Sequence, residues 1–424
     1  MKFGRPRGTR DFLPNEMKIR SYIIEKIRKV FEIHGFEEMD TPAIELWETL
    51  SAKGGEEVEN QIYKFQDKGG RWLGLRFDLT VPLARVVANN PNLVKPFKRY
   101  CIAKVWRYEE PQSGRFREFL QADIDIIGSP YMEADMECIS TAVDALKSLG
   151  LEKFKVRINN RKILEGLMSL MGISGEKFFK VLRILDKLEK IGEDNVIKEL
   201  RELNLEEDII LKIMNFIKNK DKEALDYVEK NFDFNLIQEG VKELRRILEL
   251  SEFYNLKDYI SIDFSLVRGL DYYTGPVFEV KVEDMQIGSI AGGGRYDNLI
   301  EKFGGISTYA TGISLGIERL YEILSKKISI NKSNVKVFVA NVDESVLGDC
   351  IRICRKLIEL GIPAEIDLMK RKLTRQLEYA NIKGIPFVLI VGPEELRTGI
   401  FKLKDMMNKK EYSISIEEIK SYIS

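Results

Sequence analysis

The segment FLQADIDII, residues 119–127, alternates between apolar and polar side chains, and it constrains the fold more than any other part of the chain. A period of two is that of a β-strand, whose successive side chains point to opposite faces of a sheet. The sequence therefore predicts a strand with one face in the core and one polar face. These two faces carry Leu120, Ala122, Ile124 and Ile126 on one side, and Gln121, Asp123 and Asp125 on the other.

A second segment, LRFDLTV (75–81), has the same period and places Arg76, Asp78 and Thr80 on one side. A half-solvated antiparallel sheet is the common explanation of such polar rows. Both rows contain carboxylates, however, which are depleted from strands, and aromatic and basic residues lie near the same turns. We therefore expect a concave pocket that binds a cationic, hydrogen-bonding ligand.

The spacing of apolar residues divides the chain into regions, and its 424 residues predict two or three domains. A helix is predicted between Asn15 and Gly35, followed by a series of strand-like segments. From about 165 to 250 the composition shifts to Leu, Ile, Lys and Glu without proline, which predicts a helical insertion. Strands resume at Ile260 and continue through Ala291.

A polar linker, SKKISINKSN (325–334), precedes the last region. There the strand patterns VKVFVANV, PAEIDL and FVLIVG alternate with helical patterns at about 344–360 and 373–383. Such alternation predicts a small α/β domain with a mostly parallel sheet.

Composition excludes several classes of function. The single histidine, His34, ends the first predicted helix, where we expect a surface or capping position, so a Ser-His-Asp triad and a histidine-ligated metal site are excluded. The four cysteines form no CxxC pair, which argues against structural zinc and a disulfide framework. Since the chain has no apolar run of about 18 residues and no signal-peptide pattern, we expect a soluble intracellular protein. With 67 basic and 67 acidic residues, any nucleic-acid surface must come from local clustering.

Arginines flank the loop between two predicted strands, in the segment RYEEPQSGRFREF. Arg107, Arg115 and Arg117 suit bidentate binding of phosphate, but exposed ion pairs with neighbouring glutamates explain them equally well. The glycine run 292–294 matches neither GxxxxGK[ST] nor GxGxxG. A bound nucleotide must therefore lie on a sheet with arginines rather than on a P-loop.

The segment SLVRGLDYYTGPVFEV, residues 265–280, joins two apolar runs, 264–267 and 277–280. Taken alone it predicts a hairpin in which the tyrosines pack on a sheet.

Five motifs in a fixed order resemble those of class II aminoacyl-tRNA synthetases, and of the histidyl-tRNA synthetase family in particular. Motif 1 is matched by GFEEMDTPAIE (35–45), and motif 3 is matched by GISLGIERL (312–320). Motif 2 is matched by a loop and strand with the sequence WRYEEPQSGRFREFLQADIDIIG. RGLDYYTGPVFEV and AGGGRYDNL resemble the two signature peptides of the family, and RGTRDFLP (7–14) is similar to its N-terminal peptide. The segment LTRQLEYANIKGIPFVLIVG looks like the class IIa anticodon-binding domain.

The resemblance implies an α+β fold with an antiparallel-sheet catalytic domain over residues 1–324, including a helical insertion at about 165–250. The linker 325–334 and an α/β anticodon-binding domain, 335–424, would follow. It also implies a cytoplasmic homodimer that joins through motif 1, has no membrane association, and acts on L-histidine, ATP and histidine tRNA. Mg²⁺ is expected with ATP, and no metal site on the protein itself.

The resemblance also assigns roles to residues, matched position by position. Arg107 and Arg268 would act at the reacting phosphate as catalytic residues. Histidine would be bound by Asp78, Thr80, Gln121, Asp125, Arg268, Tyr272 and Tyr273. ATP would be bound by Arg107, Glu109, Arg115 and Arg319.

The chain departs from the family's motif 2 loop at one position, and two other functions are alternatives to the synthetase. Many relatives have ERPQ in the motif 2 loop, whereas this chain has Glu110 in place of the arginine, which puts contacts of that loop with tRNA in doubt. A histidine-binding regulatory subunit of ATP phosphoribosyltransferase is one alternative, but such paralogues typically lack an intact RGLDYY peptide and the C-terminal domain, and both are present here. A nucleic-acid-binding scaffold without activity is the other, and the intact polar positions argue against it.

Overall fold

The computed structural model describes residues 3–52, 56–111, 114–219, 221–267, 272–283, 285, 288–328 and 332–423. The chain divides into two compact units, Met1–Lys327 and Ile328–Ser424, and the predicted linker spans this division. Within the described residues, no helix combines the length and the apolar character needed to cross a membrane.

The first unit contains both helices and strands. Its helices are α1 (Pro14–Ile33), α2 (Trp47–Ser51), α3 (Glu56–Gln61), α4 (Thr80–Asn89), α5 (Met132–Ser148), α6 (Arg161–Leu170), α7 (Gly175–Leu185), α8 (Leu188–Ile191), α9 (Glu193–Glu202), α10 (Glu207–Ile217), α11 (Asp221–Asn231), α12 (Asn235–Phe253) and α13 (Ile317–Leu324). Its strands are β1 (Glu37–Glu38), β2 (Ile44–Leu46), β3 (Lys64–Gln66), β4 (Trp72–Leu75), β5 (Phe97–Trp106), β6 (Glu118–Ile127), β7 (Phe154–Asn160), β8 (Ile260–Ile262), β9 (Pro276–Val282), β10 (Ala291–Arg295) and β11 (Ala310–Gly316).

In the described part of this unit, eight strands form one sheet in the order β1-β5-β6-β11-β10-β9-β7-β8. The six central strands pair antiparallel, while β1 and β8 join the two edges in parallel. Helices α1, α5 and α13 contact β6, and Ala122 and Ile124 of that strand are fully buried. The predicted α+β fold with an antiparallel sheet is confirmed, and the alternation in residues 119–127 identifies β6.

The helical block predicted at 165–250 corresponds to α6–α12, which run from Arg161 to Phe253. Helix α12 packs against α6 and α5 and so joins this block to the sheet. The contact is close, because a Cβ on Gly166 of α6 would lie 2.5 Å from Ile237 of α12.

His34 ends α1 as its C-cap residue, so the predicted capping position is confirmed. Its ring lies 3.4 Å from Glu137 and 3.1 Å from Asp144. Hydrogen bonding to Glu137 raises the pKa of His34 despite partial burial.

Two strand predictions in the first unit are wrong. In residues 75–81, β4 ends at Leu75 and α4 begins at Thr80, so Arg76, Asp78 and Thr80 do not share a strand face. The Asp78 carboxylate accepts a hydrogen bond of 3.0 Å from the amide of Val81, and proline is well tolerated in a first helical turn, where Pro82 lies. A seven-residue alternation does not distinguish a strand from such a helix start. Helix α5 also interrupts the series of strands that we predict after the first helix.

The hairpin reading of residues 265–280 is wrong as well. Strand β8 ends at Ile262 and β9 begins at Pro276, but β7 lies between them in the sheet. Each of them pairs with β7, β8 in parallel and β9 antiparallel. Strands β8 and β9 therefore lie on opposite sides of β7, and residues 268–271 between them lie outside the described part.

The second unit has its own sheet and core. Its elements are β12 (Val337–Asn341), α14 (Leu347–Glu359), β13 (Ala364–Ile366), α15 (Leu373–Lys383), β14 (Phe387–Val391), α16 (Pro393–Thr398), β15 (Phe401–Asp405), β16 (Lys410–Ile414) and α17 (Ile419–Ile423). Among its described residues, five strands form a sheet in the order β13-β12-β14-β15-β16. Alternate residues of β12 enter two cores, Val337 with α14 on one face and Phe338 with α15 on the other.

The small α/β domain predicted here is confirmed, but its sheet is only partly parallel. Strands β13, β12 and β14 are parallel, whereas β15 and β16 add antiparallel pairs that the sequence analysis does not predict.

Candidate active site

A cavity of about 370 Å³ opens on the polar face of β6, β11 and β10 in the first unit. Except for Arg268, which lies outside the described residues, every side chain that we predict for the site lines this cavity. They are Asp78, Thr80, Arg107, Glu109, Arg115, Gln121, Asp125, Tyr272, Tyr273 and Arg319.

The floor of the cavity is the polar row of β6. Register places Asp125 opposite Gly312, and Asp123 opposite Ser314, on the neighbouring strand β11. A Cβ on Gly312 would lie 2.2 Å from an oxygen of Asp125, so only glycine leaves room for that carboxylate. The amide of Gln121 donates a hydrogen bond of 2.7 Å to the hydroxyl of Ser314.

Asp125 is held from two sides at the inner end of this row. Its carboxylate lies 2.8 Å from the guanidinium of Arg99, and both side chains are almost fully buried. The hydroxyl of Tyr296 donates a hydrogen bond to its other oxygen, and burial raises the pKa of Tyr296 well above its usual value. The phenol therefore remains a donor, and Asp125 is fixed in place with a buried counter-charge.

Asp78 and Thr80 form one wall, at the start of α4. The Asp78 side chain is buried, and one of its oxygens accepts the hydrogen bond from Val81 described above. Wall and floor thus both present carboxylates, an arrangement that favours a cationic ligand.

Tyr272 and Tyr273 form another wall of the cavity, and they come directly after residues 268–271 in the chain. Their ring centroids are 4.3 Å apart, and Tyr272 lies 6.1 Å from Tyr296. A Cβ on Gly294 of β10 would lie 3.0 Å from the ring of Tyr273. The glycine run 292–294 therefore belongs to a strand, β10, and at Gly294 it makes room for an aromatic ring.

Arginines occupy the other end of the cavity. Arg107 donates a hydrogen bond of 2.9 Å from Nε to the carbonyl of Phe77, and its guanidinium lies 5.2 Å from the centroid of Phe119. Arg319 donates a hydrogen bond to the carbonyl of Ser289. These contacts fix the arginines within one basic region opposite the acidic floor.

The ion-pair explanation of the loop arginines holds best for Arg115, which lies 3.9 Å from Glu109. Arg117 has a different role, because it stacks over Tyr108 at 4.0 Å and its amide donates to the carbonyl of Gly8 in the N-terminal peptide. It does not appear among the residues lining the cavity.

Sequence reasoning gave no role to six other polar residues of the cavity, Gln61, Asp123, Ser289, Tyr296, Ser314 and Glu318. Asp123 belongs to the polar row predicted with Gln121 and Asp125, but the family resemblance gave it no role. Tyr296 lies in the AGGGRYDNL peptide, but its contact with Asp125 spans 171 residues and depends on strand pairing that the sequence does not reveal.

Comparison with known proteins agrees with this architecture. A family model described as histidyl-tRNA synthetase matches residues 8–320, and one described as anticodon binding domain matches residues 336–424. The histidine--tRNA ligase of Aeropyrum pernix is 42% identical over 97% of this chain and 96% of its own length. That of Korarchaeum cryptofilum is 43% identical over 99% of both chains.

Solved structures give the same result. Histidyl-tRNA synthetase from Nostoc sp. PCC 7120 superimposes with a TM-score of 0.85 at 31% identity and covers 100% of both chains. A structure from Bacillus halodurans, described as an ATP phosphoribosyltransferase regulatory subunit/histidyl-tRNA synthetase, has a TM-score of 0.74 at 26% identity and covers 87% of this chain and 93% of that one. Because the first family model matches most of the chain, and the curated relatives align with it over nearly their whole length, this chain belongs to the histidyl-tRNA synthetase family.

Proposed function

We propose that the protein activates L-histidine with ATP and then transfers it to the terminal adenosine of histidine tRNA. The carboxylate of histidine attacks the α-phosphorus of ATP, which gives histidyl-adenylate and releases diphosphate. The observation that carries this proposal is a single cavity with buried carboxylates at one end and fixed arginines at the other. Such a cavity suits an amino acid beside a nucleotide phosphate.

The acidic end suits histidine. A neutral imidazole has one donor nitrogen and one acceptor nitrogen. The carboxylate of Asp125 can accept a hydrogen bond from the first, and the hydroxyl of Tyr272 or Tyr273 can donate one to the second. Asp78, Thr80 and Gln121 would hold the α-ammonium. A site built to hydrogen-bond its substrate can reject analogues without those groups by roughly 10⁴-fold.

The basic end suits ATP. Arg107 would contact the α-phosphate, with Arg268 on its other side, while Arg115 and Arg319 would bind the outer phosphates and the adenine, which Glu109 would also approach. Mg²⁺ would enter with ATP on its phosphate oxygens, the ligands that this ion prefers. The substrate's own carboxylate is the nucleophile, so the reaction requires no protein base, and catalysis rests on alignment and charge stabilisation.

The experiment that tests this function is pyrophosphate exchange into ATP, measured separately with each of the twenty amino acids. We expect exchange with histidine alone, because only its imidazole matches the paired contacts around Asp125. Exchange with another amino acid, or with none, would contradict the assignment. A histidine-binding regulatory subunit of ATP phosphoribosyltransferase, the second candidate given the Bacillus halodurans structure, would bind histidine but give no exchange.

We also propose a homodimer, because a small sheet in the first unit exposes an apolar face. Among the described residues, β2, β4 and β3 form a three-stranded sheet in that order, next to the segment that resembles motif 1. Register places Leu46 opposite Leu73, and Leu73 opposite Phe65, all on one face. Leu46 is 46% exposed and Phe65 37% exposed. A second copy of the chain would cover this face.

Sedimentation tests the homodimer. We expect the wild-type protein to sediment with twice the mass of the chain, and Leu46→Glu to shift it toward the monomer, because a carboxylate would be buried at the interface without a partner. Ile382→Glu is the matched control, since Ile382 is 80% exposed on α15 of the second unit. A wild-type protein that is monomeric and fully active would refute this proposal.

A further inference from the structure

Asp123 lies at the centre of the cavity floor, and the interactions described so far give it no role. The side chain is 3% exposed, and its Oδ1 has no hydrogen-bond partner. A buried carboxylate oxygen without a partner is costly, so it points to a ligand that the site is built to receive. The Oε1 atom of Gln121, the preceding residue on the same face, is likewise buried without a partner.

Charged and titratable groups face Asp123 from each neighbouring element. Arg99 and Cys101 lie on β5, where Cys101 is directly opposite Asp123. Asp125 follows on β6, Ser314 is opposite on β11, and Asp78 comes from the segment before α4. Burial raises the pKa of Cys101 to about 12, so the thiol is neutral. Arg99 is the one cation among these groups, and its counter-ion is Asp125.

These acceptors match the donors of an ammonium group in number. An ammonium carries three N–H donors and no acceptor. The carboxylate of Asp78, Oε1 of Gln121 and Oδ1 of Asp123 are three acceptors that line the same cavity. Ser314 fixes the Gln121 amide by accepting from its nitrogen, so the amide oxygen is left to face a ligand.

We propose that Asp123 binds the α-ammonium of the amino-acid substrate together with Asp78 and Gln121. This inference rests on the proposed function and adds a residue to its substrate site. It also makes substrate binding release a proton near neutral pH.

The electrostatics of the site set the direction of this proton exchange. Burial, together with the nearby carboxylates of Asp125 and Asp78, raises the pKa of Asp123 to about 7 against the opposing effects of Arg99 and Ser314. Near pH 7 the empty site therefore holds a partly protonated carboxyl. An ammonium in contact with this carboxyl stabilises the ionised form and lowers the pKa, so the proton leaves on binding.

Isothermal titration calorimetry of the full-length protein with L-histidine tests the proposal directly. The binding enthalpy at pH 7, measured in buffers of different ionisation enthalpy, gives the number of protons released. We expect the wild type to release more protons than Asp123→Asn, because the raised pKa of Asp123 leaves part of this carboxyl protonated near pH 7 before histidine binds. Protons lost by histidine itself cancel in this comparison. Equal release by the two proteins would overturn the proposal.

Affinities for two analogues locate the contact. Asp123→Asn should weaken binding of histidine and histamine roughly 10- to 100-fold, the range of a charge-assisted hydrogen bond, and leave 3-(imidazol-4-yl)propionate unchanged because it has no amine. An equal loss for all three would place Asp123 at the imidazole and refute the ammonium contact. The exposed Asp258→Asn is the control, and near-ultraviolet circular dichroism checks that each variant is folded. If the wild type binds no histidine, the proposed function fails; if it does and Asp123→Asn binds histidine equally well, only this inference fails.

Discussion

Alanine in place of Arg107 is expected to slow histidine-dependent pyrophosphate exchange roughly 10²- to 10³-fold, the usual cost of removing one fixed donor from a developing charge. The negative charge on the α-phosphate oxygens is reorganised in the transition state of adenylate formation. A guanidinium already held in position stabilises it without reorganising at that moment. The measurement is single-turnover adenylate formation at saturating histidine and ATP.

The contacts of Arg107 are the reason to expect an effect of this size. Its Nε is committed to the carbonyl of Phe77 at 2.9 Å, and the aromatic face of Phe119 lies beside the guanidinium. The head group is therefore preorganised at the cavity wall, and its terminal nitrogens can bind a phosphate in a bidentate manner. Arg107→Lys keeps the positive charge but cannot bind phosphate in a bidentate manner, so we expect its rate to lie between those of the wild type and the alanine variant.

Arg71→Ala is the matched control, because Arg71 is exposed and pairs with Asp67 on a surface turn. It should change adenylate formation by less than about twofold, since exposed ion pairs contribute little. Equal rates for Arg107→Ala and Arg71→Ala would refute the role of Arg107. If Arg107→Ala were unfolded at the assay temperature, its loss of activity would instead indicate a structural role for Arg107.

Strict alternation explains why the floor of the site could be predicted from the sequence. In β6, Gln121, Asp123 and Asp125 face the cavity, and the alternate residues Ala122, Ile124 and Ile126 are buried in the core, so local pattern and tertiary structure agree there. In residues 75–81 the same pattern fails, because the carboxylate of Asp78 satisfies an amide at the start of a helix. A short alternation of polar residues is compatible with both a strand and the start of a helix, and only the surrounding structure decides between them.

Contacts between distant segments account for what the sequence does not predict. The buried pair of Arg99 and Asp125 depends on the register of β5 against β6, and the contact of Tyr296 depends on β10 and β11 lying beside them. The hairpin prediction failed for the same reason, since β7 inserts between β8 and β9 from more than 100 residues earlier in the chain. Motif resemblance could identify the residues of the site, but not these packing partners.

We propose that the C-terminal unit binds tRNA. Its basic cluster, Lys370-Arg371-Lys372 with Arg375, lies where β13 connects to α15. The buried carboxylate of Asp367 organises this loop by accepting from the amide of Arg371 at 2.7 Å and from its guanidinium at 3.0 Å. The loop is thus fixed by internal hydrogen bonds that include the Arg371 side chain, and Lys370 and Arg375 remain exposed.

Two of these cations already have carboxylate partners on the surface. Lys370 pairs with Glu344, and Arg375 lies 2.6 Å from Glu378. Such exposed pairs contribute little to stability, so a phosphate can replace the carboxylate at little cost. We therefore expect the cluster to bind the tRNA backbone, with an affinity that depends on salt.

A protein that ends at Lys327 should retain histidine-dependent pyrophosphate exchange within a few-fold while charging of histidine tRNA falls by at least about tenfold, the cost of 1.4 kcal/mol of lost binding. Every site residue that we propose precedes residue 320, and the two units have separate cores, so adenylate formation needs only the first unit. The charging assay is run at tRNA concentrations below saturation, and circular dichroism and sedimentation check that the shortened protein is folded.

Salt dependence distinguishes lost phosphate contacts from a general loss of activity. For the full-length protein, the logarithm of the tRNA association constant should fall with the logarithm of salt concentration by about 0.7 to 0.9 for each phosphate neutralised, and the truncated protein should show a shallower slope. Replacing Lys370 and Lys372 by glutamine in the full-length chain should reduce the slope by about 1 to 2 without changing exchange. A truncated protein that charges tRNA as well as the intact chain, or that loses exchange while still folded, would refute this division of labour between the two units.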